Sequence, residues 1–257
     1  MASFGKYGAP NSRMIVIPSR PGGDSCLENM KDSKSQTTVR IAGCDAVPLG
    51  GSDPVQLACG TAGCSANCCA NGPYIVLNPY EISLICRAAG MSYEDLLDVV
   101  ETDRVNGFPL VLLPRDPACS FWTEKGCRIY AARPLACRLF PLGRVFEDNA
   151  SHYILPDRNR CTGLVPAPSR TLSDYLAEQE TVAQVRMADA WIEFVTEMEG
   201  LHLPDEPVTS IAFHLLVYSP DTPPSDDPSR SPSGQDERFL LRLATARNKL
   251  PQFLKDR

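Results

Sequence analysis

"CRIYAARPLACRLFP" (Cys127–Pro141) sets two cysteines ten residues apart around Arg133-Pro134, and the second is followed by Arg138, Phe140 and Pro141. Pro134 presets φ for a helical first turn and pushes Arg133, just before it, towards extended backbone. Pro141 stops the helix after Phe140. Cys137 therefore falls about one turn into a short helix, and Cys127 lies on the extended segment leading in. The chain doubles back here, which allows the two thiols to meet. Such a stretch is too irregular to be ordered by a strand ladder or a long helix alone, so the thiols themselves are candidates for what orders it.

Working outward, the chain of 257 residues holds eleven cysteines, at 26, 44, 59, 64, 68, 69, 86, 119, 127, 137 and 161. The opening MASFGKYGAPNSRMIVIPSR lacks the basic segment and long apolar stretch of a secretory signal, so the expected location is the cytoplasm. In a reducing compartment this density of thiols points to metal binding or redox chemistry, and an odd count fits poorly with a fully paired disulfide scaffold. Cys86, among Ile82, Leu84 and Ile85, reads as core. Cys26 and Cys44 stand alone in polar surroundings. Eight remain.

The first group is "CGTAGCSANCC": Cys59, Cys64, Cys68 and Cys69, with Gly60, Gly63 and Gly72 around them. Glycines let a loop curl so that several thiolates converge. Four soft ligands within eleven residues suffice, by count, for tetrahedral Zn2+ or an iron–sulfur cluster. The adjacent Cys68 and Cys69 point apart, so they serve different metal atoms or one of them is not a ligand. The second group, Cys119, Cys127, Cys137 and Cys161, has wide spacings that match no common zinc finger and resemble those of iron–sulfur proteins. Spacing thus favours an iron–sulfur cluster over Zn2+. A metal thiolate is anionic, and Arg133 and Arg138 are candidates to compensate it by hydrogen bonding to sulfur; the alternative for both is surface charge. His152 is a candidate auxiliary ligand, with solvent exposure as the alternative, while His202 and His214 read as structural. No GxSxG, P-loop, HExxH or GxGxxG motif occurs in a supporting context.

The rest of the chain bounds the answer. A net charge of −6 with no basic face argues against nucleic-acid binding, and no apolar run approaches a membrane span. Residues 1–52 read as a loosely ordered arm whose apolar run Met14–Ile17 is a candidate strand, and 53–165 as a cysteine-cluster metal-binding domain. Within it, Asn78-Pro79 starts a helix that Gly90 stops, Ser92 with Asp95 opens a second, and "FPLVLLP" (Phe108–Pro114) reads as a strand. Residues 166–218 read as a helical extension in which Thr171–Gly200 is the longest helical pattern. Residues 219–235 carry Pro, Ser and Asp without an apolar side chain and read as a disordered linker; 236–257 read as a C-terminal amphipathic helix, dispensable to the cysteine site. The expected fold class is mainly α, with an irregular, loop-rich cysteine-cluster core, a small metal-stabilised domain and C-terminal helices.

The order "CGTAGCSANCC", "LNPYEISLICRAAGMSYEDLLDVV", "CSFWTEKGCRIYAARPLACRLFPLG" and "CTG" resembles the CxxCxxCC family of zinc- or iron-chelating cysteine-cluster domains, the YkgJ-type proteins, to which flagellin lysine-N-methylases are related. The resemblance runs from Cys59 to Gly163, and its most specific element is C-x-I-Y-x-x-R-P-x-x-C-R-x-F-P. It implies metal chelation by Cys64, Cys68, Cys69, Cys119, Cys127, Cys137 and Cys161, with Cys59 joining them across a four-residue gap. The partner implied is a metal ion or cluster, with a protein partner or substrate as a further expectation. The alternative function is a metal-dependent protein-modifying enzyme of the methylase type using S-adenosylmethionine, for which no glycine-rich binding loop is visible.

Overall fold

The strongest local signals in the chain are two consecutive capping boxes, and both are formed. In the computed structural model, which describes residues 39–41, 44–59, 69, 74–105, 107–140, 142–147, 150–155, 164–198, 201, 203–204, 206–225 and 232–255, the elements run as follows. Strands β1 (Val39–Ile41), β2 (Cys44–Leu49), β3 (Pro54–Cys59) and β4 (Ile75–Leu77) lead to helices α1 (Pro79–Ala89) and α2 (Tyr93–Leu97). Then come β5 (Glu101–Val105), β6 (Phe108–Leu113), β7 (Trp122–Thr123), β8 (Gly126–Cys127), a 3-10 turn (Tyr130–Ala132) and α3 (Leu135–Leu139). The chain continues through β9 (Gly143–Glu147), β10 (Ala150–Leu155), β11 (Leu164–Thr171), α4 (Leu172–Glu178), α5 (Val182–Met198), α6 (Pro207–Phe213), a π-helical turn (His214–Tyr218) and α7 (Gln235–Lys255). The candidate strand at Met14–Ile17 lies outside the described residues.

This is a mixed α/β protein, which corrects the expectation of a mainly α fold. Its strands form four small antiparallel sheets, ordered β1-β2-β10-β9, β11-β3, β4-β6-β5 and β7-β8. The strands escaped the sequence pattern because most are short and several carry proline, which cannot donate to a ladder. Pro48 lies in β2, Pro54 opens β3, and the β11-β3 register slips between Pro166 and Arg170.

The chain divides into two compact units. The first comprises residues up to Ala66 together with Leu139–Tyr175, and contains the four-stranded sheet and the β11-β3 pair. Its Tyr175 hydroxyl donates to the Phe140 carbonyl at 2.6 Å, and Leu172 and Val145 are buried.

The second unit, Asn67–Arg138 with Leu176–Arg257, carries the large core. In α1 the Asn78 side chain accepts from the Glu81 N–H, and the Glu81 carboxylate accepts from the Asn78 N–H in return. Gly90 closes the helix at φ 66°. Ser92 and Asp95 repeat the arrangement for α2. Gly107, just before β6, sits at φ 79°, where a Cβ would lie 2.4 Å from the Leu203 carbonyl oxygen; only glycine fits. Central strand β6 is buried along nearly its whole length, whereas β5 at the edge is polar and exposed. Around β6 an aromatic cluster gathers Phe108, Trp191, Phe194, Phe213 and Tyr218, with Phe108 and Phe213 edge-to-face at 4.8 Å.

The segment Thr171–Gly200 is two helices. Leu176 and Ala177 carbonyls accept from the Thr181 and Glu180 N–H groups, and Glu180 adopts φ 52°. That is a Schellman stop in which glutamate occupies the position glycine normally takes. Thr181 then opens α5. The C-terminal helix α7 is part of the core: Phe239, Leu243, Ala246 and Leu250 are buried in the same cluster as Trp191 and Tyr80. The chain before it is anchored as well, since the Asp221 carboxylate accepts from the first N–H of α2 at 2.7 Å.

Candidate metal centre

Four of the eight candidate thiols, Cys69, Cys119, Cys127 and Cys137, lie in described parts of the second unit. Their placement follows from one long-range backbone bond and two tight turns. The Cys119 N–H donates to the Cys69 carbonyl, tying the end of the first cysteine group to the start of the second. A turn closed by Trp122 N–H to the Cys119 carbonyl at 2.9 Å then reverses the chain into β7. The β7–β8 hairpin pairs Trp122 with Cys127; its loop is held by Lys125 N–H to the Thr123 hydroxyl and by that hydroxyl to the Gly126 carbonyl, with Gly126 at φ 104°. The result brings Cys127 back beside Cys119, close enough that charge on the Cys119 sulfur disfavours charge on Cys127.

Cys127 sits in a specific environment. Burial pushes its thiol up, the Ile129 N–H donated to its sulfur pulls it down, the Cys119 thiol raises it and the Arg133 charge lowers it. Arg133 also stacks over the Tyr130 ring at 3.8 Å and reaches Gln179 at 3.3 Å, while its buried Nε–H has no hydrogen-bond partner. Arg133 is extended, as the residue before proline should be.

Arg138 has a different task. It is buried, and its donors go to the carbonyls of Ala131, Arg133 and Gln179, with Glu180 at 3.8 Å as its ionic partner. It clamps the turn that precedes Cys137 to the Schellman stop, and the bond to the Gln179 carbonyl helps hold Glu180 in its left-handed conformation. Cys137 is the third residue of α3, its N–H bonded to the Pro134 carbonyl at 2.9 Å.

Sequence reasoning missed Glu81. Its carboxylate closes the α1 capping box through Oε2 and accepts from the Leu135 N–H, at the start of α3, through Oε1 at 2.7 Å. The signal was present in "NPYE" (Asn78–Glu81), whose fourth residue completes an N-terminal capping box.

The other candidates distribute simply. Cys59 ends β3 in the first unit. Cys64, Cys68 and Cys161 lie outside the described residues. His152 is exposed on β10, and His214 is half-buried with its Nδ1 2.6 Å from the Tyr93 hydroxyl. Cys86 is core, donating to the Ser92 carbonyl at 3.7 Å, and burial pushes its thiol up to about 12.

Among the described residues no three His, Cys, Asp or Glu side chains are gathered at metal-binding spacing. What is gathered is a thiol pair with a sulfur-directed amide, an adjacent guanidinium and an orphaned buried N–H. A buried and a half-buried thiolate side by side are costly without a cation, and a soft thiophilic metal would supply it while Ile129 and Arg133 stabilise charge on the Cys127 sulfur. These residues fit such a metal. No curated protein and no solved structure matches the chain. Residues 58–162 match the CxxCxxCC family model, described as "Putative zinc- or iron-chelating domain", and it is to this family that the cysteine segment is similar.

Proposed function

We propose that the chain chelates iron, held as an iron–sulfur cluster, through cysteine thiolates, with Cys59, Cys64, Cys68, Cys69, Cys119, Cys127, Cys137 and Cys161 as the candidates from which the ligands are drawn. The observation that carries the reading is the pairing of Cys119 with Cys127 beneath an Ile129 N–H and the Arg133 charge. Amide and guanidinium donors facing sulfur are what an electron-rich cluster uses to spread its negative charge. Wide ligand spacing and soft ligands suit the cluster, and Zn2+ is the competing occupant of the same thiolates. Thiolate ligation calls for a reducing compartment, which favours a cytoplasmic location. Among the described residues no helix is long and apolar enough to cross a membrane.

Metal and acid-labile sulfide analysis of anaerobically purified protein tests this. The expected preparation is brown, contains iron and sulfide, and bleaches with dithionite. Stoichiometric zinc without sulfide would replace the cluster with zinc and leave the thiolate assignment standing. Protein that retains neither metal contradicts the proposal.

A further inference from the structure

We infer that Glu81 is a positioning residue for the Cys137 thiolate; the inference rests on the chelation reading for its consequence and on geometry alone for its cause. Glu81 is 4% exposed and, among the described residues, has no cationic partner. Its acceptor capacity is divided between two helix starts: Asn78 N–H at 3.0 Å and Leu135 N–H at 2.7 Å. A buried carboxylate without a cation is expensive, and a side chain serving only to cap α1 has no need to be buried against a second element. Asp95 caps α2 in the same way and is exposed. The difference between the two capping boxes is the bond to Leu135.

Leu135 is two residues before Cys137 in a helix of five residues, too short to hold itself in place. Two buried polar groups locate it. Arg138 ties the turn before it to the Ala131, Arg133 and Gln179 carbonyls, and Glu81 ties its first N–H to α1, whose Ile82 and Ile85 are fully buried in the core. Glu81 therefore transmits the rigidity of the core to a thiol-bearing turn that lacks regular structure of its own.

The test has two readouts. In metal-free protein, peptide-resolved alkylation measures the rate at Cys137 relative to Cys86. Glu81→Gln replaces one carboxylate oxygen with an N–H₂ group and leaves the other a weaker, neutral acceptor, so the Leu135 N–H loses its charged acceptor in either orientation of the amide, and the ratio should rise about 10-fold. Asn78→Ala, which removes the side-chain cap of α1 and leaves the Leu135 acceptor, should leave the ratio at its wild-type value. In metal-loaded protein, Glu81→Gln should weaken retention against a chelator by about 10-fold or more, and Asn78→Ala should not. Glu81→Asp, too short to span both donors, serves if the glutamine variant fails to fold and should raise the ratio likewise. An unchanged Cys137 ratio in the Glu81 variants, or an equal rise in Asn78→Ala, overturns the inference. If wild-type protein retains no metal the chelation reading fails, and the alkylation ratio still decides the role of Glu81.

Discussion

Cys86 and Cys127 belong to the same unit of this protein and are held in opposite ways. Cys86 sits on α1, between an Asn78–Glu81 capping box and a left-handed glycine, with Ile82 and Ile85 on the same buried face. Every feature that places it is local and regular. Cys127 ends a strand of two residues, reached through two reversals of direction, and is stabilised by an amide and a guanidinium from the irregular turn that follows. One thiol is a small apolar side chain in a core that would fold without it. The other is half-buried, and burial pushes its thiol up while an amide and a guanidinium favour charge on its sulfur. The contrast teaches that irregular backbone in this chain is concentrated where thiols are presented, and regular backbone where apolar area is buried.

The largest expected effect breaks the irregular region alone. Structural metal–thiolate bonds are worth on the order of 10 kcal/mol of ordering free energy. Chelator treatment, or Cys127→Ser, should therefore loosen residues 119–138 in hydrogen exchange while the amides of α1, α5 and α7 remain protected. Uniform loss of protection across both regions would erase the distinction.

The regular region has its own weak point in α7. Leu243 is 1% exposed within the common core, and Leu243→Ala should cost about 2–5 kcal/mol in urea unfolding while leaving metal content per folded molecule unchanged. Removing all of α7 should prevent the second unit from folding. That outcome departs from what the sequence suggests, because the Pro-, Ser- and Asp-rich stretch before α7 makes the helix look like an appendage. Phe239, Leu243, Ala246 and Leu250 are ordinary amphipathic spacing in the sequence, and spacing does not say whether the apolar face meets a partner or its own core.

The same limit explains the rest of what was legible. Both ends of α1 and the start of α2 could be read to the residue because caps are local chemistry, whereas α2 stops at Leu97 and does not run on through Val99 and Val100; β6 was legible because a central strand is a continuous apolar run. The polar edge strand β5 and the proline-bearing β2, β3 and β11 were invisible because long-range pairing decides them. At the candidate centre, the cysteines, Arg133 and Arg138 stand out in the sequence as candidates. The division of labour between Arg133 and Arg138 does not, since the carbonyls of Gln179 and Ala131 that occupy Arg138 are fixed by a Schellman stop with no glycine to announce it.

A third prediction sits at the junction of the two regions. Burial pushes the Glu81 carboxyl from 4.5 up to about 7, against the N–H bonds from Asn78 and Leu135 that pull it down. The folded protein thus keeps a proton that the unfolded chain has released between pH 4.5 and 7. Raising the pH through that window removes stability, on the order of 3 kcal/mol, and below it the group contributes no dependence. Urea unfolding at pH 5 and pH 8 should show the wild type losing stability towards pH 8, and Glu81→Gln should lose this component. Equal pH dependence in both proteins would contradict it.

The smallest effect concerns the Schellman stop. Glu180→Gly places a residue at ease where φ is 52°, and should raise stability by about 0.5–1 kcal/mol, measured by thermal unfolding. A decrease would show that the ionic contact of Glu180 with Arg138 outweighs the backbone strain.

The central claim is that the irregular thiols are ligands and the regular one is core. Peptide-resolved alkylation of native protein before and after chelator treatment tests it most directly. The account predicts that Cys69, Cys119, Cys127 and Cys137 are protected together, become reactive together when the metal is removed, and that Cys86 stays slow in both states. Labelling of Cys119 and Cys127 that does not change on chelation would contradict it.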